Sequence, residues 1–98
     1  MITTHEILGL LKNIFIFEKK IELRAIPKEM KTRDLLNVFK KMGFVPVRQE
    51  GDHLIYKRGN QTVPIIVGKR VTHNGLIMTY LHQSGVTKSE FLSALALL

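Results

Sequence analysis

From Gly43 onward the chain is cut by glycine-bearing turns into three pieces of strand length, and this punctuation constrains the fold more than any other feature. The pieces run from Phe44 to Gln49, from His53 to Arg58 and from Gln61 to Val67. Gly59-Asn60, between the second and third, is a two-residue hairpin signal, because both residues tolerate the positive φ that such turns require. Proline has no N–H to give to a ladder and therefore favours edge strands. Pro46 lies in the first piece and Pro64 in the third, while the second has none. A three-stranded antiparallel meander with the second strand central follows.

Helical patterns flank the meander. Thr32 is placed to cap a helix whose apolar face is Leu35, Leu36, Val38, Phe39 and Met42. Lys40 and Lys41 complement its C-terminal dipole, and Gly43 is suited to end it. A second helix is expected from near His73 or Asn74 to Gly85, burying Ile77, Tyr80 and Leu81. Thr87 with Glu90 makes a capping box for a last short helix carrying Phe91, Leu92, Leu95 and Leu98. The order is α-β-β-β-α plus a short C-terminal helix, an α+β arrangement with helices on one face of the sheet. Residues 1–29 read as an N-terminal extension to this 30–98 domain. Thr3 with Glu6 would cap a helix through Ile7, Leu8, Leu11, Ile14 and Phe15. Ile21, Leu23 and Ala25 alternate like a strand, and Pro27 closes the segment.

Ninety-eight residues leave room for one modest core. Cysteine is absent, so neither disulfides nor thiolate metal sites hold the fold, which suits a reducing cytoplasm. The apolar stretch from Ile7 to Phe17 is interrupted by Lys12 and Asn13 and falls short of the about 20 apolar residues a membrane span needs. A secretory leader is not expected either, for want of a basic start and a small-residue cleavage site. The formal net charge is +7, and the field is lopsided: residues 1–29 carry net +1 and residues 30–98 net +6. A positive field of that density favours polyanionic partners, nucleic acid or an acidic protein.

Within the 30–98 domain, Gly43-Phe44, Arg48-Gln49, Gly51-Asp52-His53 and Ile55-Tyr56 occur in that order. Val63-Pro64 follows, Gly75 and Gly85 bracket the second helix, and Glu90-Phe91 comes last. This series resembles the signature of the HicA toxins over roughly Met30 to Leu95, and that family usually begins near what is Met30 here. The resemblance implies a fold like that of double-stranded-RNA-binding domains. It also implies a cytoplasmic endoribonuclease that cleaves mRNA by histidine-dependent, metal-independent catalysis, without a cofactor, until a HicB-type antitoxin covers its active site. Three positions depart from the family pattern. Ile66 stands where many members carry a second histidine, Leu76 where a threonine is usual, and Met78 at a common basic position. These departures favour an alternative, a catalytically inactive RNA-binding or antitoxin-binding module.

The resemblance makes His53 the catalytic residue. Cutting RNA without a metal requires activating a ribose 2′-OH, stabilising charge on the phosphate and protonating the 5′-oxygen. Histidine suits the proton steps, since its ordinary pKa of about 6.5 lies near working pH. Gly51 allows a tight turn that sets the imidazole at the mouth of the central strand with backbone close to a substrate. Alternation along a strand points Asp52 and His53 to opposite faces, so Asp52 is not expected to contact the His53 ring. Candidate RNA contacts are Arg48, Lys57, Arg58, Lys69 and Arg70, with free amides at Asn74 and Gly75 where the second helix begins. His5 and His82 read as surface residues and His73 as flanking a helix. No two of the four histidines are spaced to bind a metal.

Overall fold

A computed structural model describes residues 25–98. The helix and strand expected before Ala25, together with His5, lie outside the described residues. The elements are β1 (Glu29–Lys31), α1 (Thr32–Lys41), β2 (Val45–Glu50), β3 (His53–Arg58), β4 (Gln61–Ile66), β5 (Val71–His73), α2 (Asn74–Ser84) and α3 (Lys88–Leu95). The meander has the expected order, β2-β3-β4, and is antiparallel throughout. Both prolines fall on its edge strands. Gly59, at φ +58°, turns the hairpin that pairs Arg58 with Gln61. Val47 is the extra residue of a bulge between Pro46 and Arg48, an irregularity that blunts the β2 edge against pairing with another chain.

Register sorts the sheet's two faces. Tyr56 pairs with Val63 and Leu54 with Ile65, and these side chains join one core with Leu35, Val38 and Phe39 of α1, Ile77 and Leu81 of α2, and Phe91 and Leu92 of α3. The three helices therefore cover one face. Phe39 and Phe44 meet edge to face, 5.2 Å between centroids, at the corner where α1 turns into β2. The other face carries Arg48 and Glu50 on β2, His53, Ile55 and Lys57 on β3, and Thr62, Pro64 and Ile66 on β4. Ile55, flanked in register by Arg48 and Pro64, is buried there apart from the main core.

Several local expectations are corrected. Thr32 does not cap α1; it is the first helical residue, and Lys31 holds the cap position without a side-chain bond. The Thr32 hydroxyl instead meets the Thr72 hydroxyl at 2.8 Å in the interior. That contact fastens α1 to a two-stranded sheet, β1 against β5, that no local pattern announces. At the last helix the Thr87 hydroxyl accepts from the Glu90 amide at 3.1 Å, but the Glu90 carboxylate turns away to Arg58, so only half of the capping box forms. The helix stops at Leu95 and leaves Leu98 exposed, and Ala94 takes the buried place.

Burial pushes the hydroxyls of Tyr56 and Tyr80 above their ordinary value of 10.0, with the nearby Asp52 charge adding to the rise at Tyr80. Both phenols thus stay protonated in the fold at pH values where an unfolded chain would ionise. Their contribution to stability is complete below about pH 10 and is lost as pH rises through the folded values. The urea midpoint should accordingly fall above pH 10, and Tyr80→Phe should flatten that fall. An identical alkaline profile in the variant would refute Tyr80 as one of its sources.

Candidate active site

His53 opens the central strand at the edge of the helix-free face. Its side chain is 44% exposed, open enough for a substrate to reach while the ring is still held on one side. Gly51, at φ +60°, makes the turn before it; a Cβ there would meet nothing within 4 Å, so the demand for glycine is conformational rather than steric. The turn also overturns the expectation for Asp52. That residue precedes the strand, so alternation does not govern it, and its Oδ1 lies 2.8 Å from His53 Nδ1. The Asp52 carbonyl accepts the Val67 amide at 2.8 Å, which fixes the turn against the end of β4.

With Nδ1 facing a carboxylate, Nε2 is the nitrogen left for a substrate. The carboxylate also offsets positive charge on the ring whenever Nε2 takes a proton. In the buried Ser-His-Asp triad the corresponding Asp→Asn change costs about 10⁴-fold in kcat. Asp52 is 63% exposed, so water screens its charge and a smaller loss follows. In the RNA cleavage that the resemblance implies, Asp52→Asn should lower the rate by about 10- to 100-fold with KM nearly unchanged. An unchanged kcat would exclude Asp52 as a positioning residue.

Cross-strand neighbours complete the surroundings. Ile66 is the register partner of His53 on β4 and brings an apolar side chain beside the imidazole. Its amide donates to the Tyr80 hydroxyl at 2.9 Å, tying this end of the sheet to α2. Glu50 is the partner on β2 and holds Arg48 at 2.7 Å. Both members of that pair are about 60% exposed, so the pair is weak and Arg48 can exchange its partner for a phosphate at little cost. Lys57 lies on the same face, about 13 Å along the strand from His53. Lys69 and Arg70 stand exposed on the connection from β4 to β5, beyond the Asp52 turn.

Two of the expected contacts are committed elsewhere. Arg58 is at the far end of β3, about 17 Å from His53, on the helix side of the sheet. Its guanidinium donates to Gln61 Oε1 at 2.8 Å and to the Met42 carbonyl at 2.7 Å, pairs with Glu90, and lies 4.6 Å over the Phe44 ring. It braces the fold rather than facing a substrate. The Asn74 amide is not free for a phosphate either, because it donates to the Lys28 carbonyl at 2.9 Å. Gly75 is exposed next to it.

His73 flanks α2 and sits 3.6 Å from Glu29, while His82 is exposed near the helix end. Among the described residues no three His, Asp or Glu side chains gather as a metal site. No helix among them is long and apolar enough to cross a membrane. The Asp52 contact was the residue role that strand periodicity hid; the Gly-Asp pair before His53, a turn signal, was the clue that Asp52 lies outside the strand.

A family model described as the HicA toxin of bacterial toxin–antitoxin systems matches residues 32–86, a span that runs from α1 through α2 and includes His53. No curated protein and no solved structure matches the chain.

Proposed function

The chain belongs to the HicA toxin family of bacterial toxin–antitoxin systems, and from that premise we propose that it is an endoribonuclease that cleaves mRNA and halts growth until a HicB-type antitoxin binds it. The observation that carries this reading is the His53–Asp52 contact at the mouth of the central strand, made by a ring that is itself partly exposed. In the reaction as proposed, Nε2 serves the proton steps: it withdraws a proton from the ribose 2′-OH or delivers one to the departing 5′-oxygen. The 2′-oxygen bonds to phosphorus as the 5′-oxygen leaves, so the proton inventory closes on the RNA and water. Arg48, Lys57, Lys69 and Arg70 are the cations available to phosphate. No metal or other cofactor takes part in this scheme.

One observation favours a second reading. Ile66 occupies the place beside His53 where many family members have another histidine, so the imidazole works without a second ring next to it. A protein limited in this way would bind RNA or antitoxin without cutting.

Induced expression in growing bacteria separates the two. The wild-type chain should arrest growth and fragment cellular mRNA, His53→Ala should do neither, and a co-expressed HicB-type antitoxin should restore growth. A soluble wild-type chain that leaves both growth and RNA intact would favour the binding module.

A further inference from the structure

A cleft of about 640 Å³ opens between the start of α1 and the connection from β4 to β5. Lys31 and Arg33 stand on one wall, Lys69 and Arg70 on the other, with Leu36 and Val71 supplying apolar lining. The walls are joined by backbone: the Thr32 amide donates to the Arg70 carbonyl at 2.9 Å. They are stiffened by the buried Thr32–Thr72 hydroxyl contact and by the pairing of Lys31 with Val71. Four like charges held about one fixed space repel each other, and among the described residues none of them forms an ion pair. Elsewhere in the fold the cations near carboxylates are paired: Arg58 with Glu90, Arg48 with Glu50. An unpaired set facing one cavity is a standing demand for an anion.

The cleft is also next to the histidine. Val67 and Gly68 belong to its lining, and the Val67 amide is bonded to the carbonyl of Asp52, the residue in contact with the His53 ring. The cleft and the histidine thus meet at the Asp52 turn, which Val67 holds from the cleft side. The volume lies in the small-molecule range and accommodates a nucleotide or two. Sugar or base against Leu36 and Val71, with phosphate between the two basic walls, matches what single-stranded RNA offers.

We infer that the Lys31–Arg33 and Lys69–Arg70 cleft is a subsite for the phosphodiester backbone of single-stranded RNA, flanking the scissile bond. This inference rests on the proposed RNA-cleaving function and adds to it the α1 wall, Lys31 and Arg33, as substrate contacts. Because the contacts are to phosphate, binding through them is independent of base sequence.

The test uses the full chain with His53→Ala, so that RNA is bound but not cut, and a fluorescent single-stranded RNA oligonucleotide titrated at several salt concentrations. Lys31→Gln with Arg33→Gln should weaken binding about tenfold for every oligonucleotide sequence tried and flatten the slope of log K against log salt by about 1.4. Lys40→Gln with Lys41→Gln, at the other end of α1, removes the same charge outside the cleft and should leave affinity within about twofold. Lys69→Gln with Arg70→Gln serves as an independent probe of the facing wall, and Arg33→Lys should retain most of the affinity. Melting curves confirm that each variant is folded. Equal losses from the cleft and control pairs would reduce the effect to net charge and overturn the subsite. So would unchanged binding in both wall variants, while leaving the ribonuclease reading intact. A His53→Ala parent that binds no RNA at all would overturn both.

Discussion

His53→Ala is expected to lower the RNA-cleavage rate of the purified chain by about 10²- to 10⁴-fold, the usual range for a lost general acid–base group. The large effect follows from the neighbourhood. Ile66, on the adjoining strand, carries no group that could transfer a proton in place of the imidazole. No second histidine lies on the described helix-free face to take over. Affinity for uncut RNA should change by less than about twofold, because the phosphate contacts are supplied by other residues. Gel-resolved cleavage of a defined RNA gives the first quantity and fluorescence titration the second. Cleavage by His53→Ala at the wild-type rate would remove this histidine from the mechanism. A parallel collapse of binding would assign it to substrate capture instead.

Arg58→Ala should destabilise the fold by about 2–4 kcal/mol, seen as a fall in Tm of roughly 10–20 °C. One guanidinium reaches four elements of structure: the Met42 carbonyl at the end of α1, Gln61 at the hairpin, Glu90 of α3 and the Phe44 ring. Truncation leaves the Glu90 carboxylate half-buried without its partner and strips a cation from the aromatic face. The partial exposure of both groups, 28% and 36%, brings the loss below the about 3–5 kcal/mol of a fully buried pair. Arg58→Lys should recover only part of it, since a single ammonium cannot reproduce the planar fork. Thermal melting of the variants measures this directly. A shift of Arg58→Ala by less than about 2 °C would refute the brace. RNA affinity should fall no further than the loss of folded protein explains.

These two residues mark how much of the protein was legible before folding. His53 is legible through the run Gly51-Asp52-His53, short enough to be read along the chain, and its catalytic role is what the family resemblance implies. Arg58 reads in the sequence as one more cation for the substrate, since nothing within its own strand discloses a carboxylate 32 residues away. The Asp52–His53 contact is hidden from the strand pattern for a related reason. The period-two rule holds only inside a strand; Asp52 lies in the turn just before β3, where alternation does not set its direction and its carboxylate reaches the ring.

By itself the sequence determined the meander, its strand order and the three described helices with their buried faces. Those depend on short-range physics: the conformational demands of glycine and proline, the 3.6-residue period and the capping of helix ends. Tertiary structure alone decided the β1–β5 sheet, the Thr32–Thr72 bond, the Arg58–Glu90 pair and the cleft that gathers Lys31, Arg33, Lys69 and Arg70. Each of these joins residues more than 15 positions apart, and their energy appears only once the intervening chain has been closed into a loop. No window of neighbouring residues contains that information.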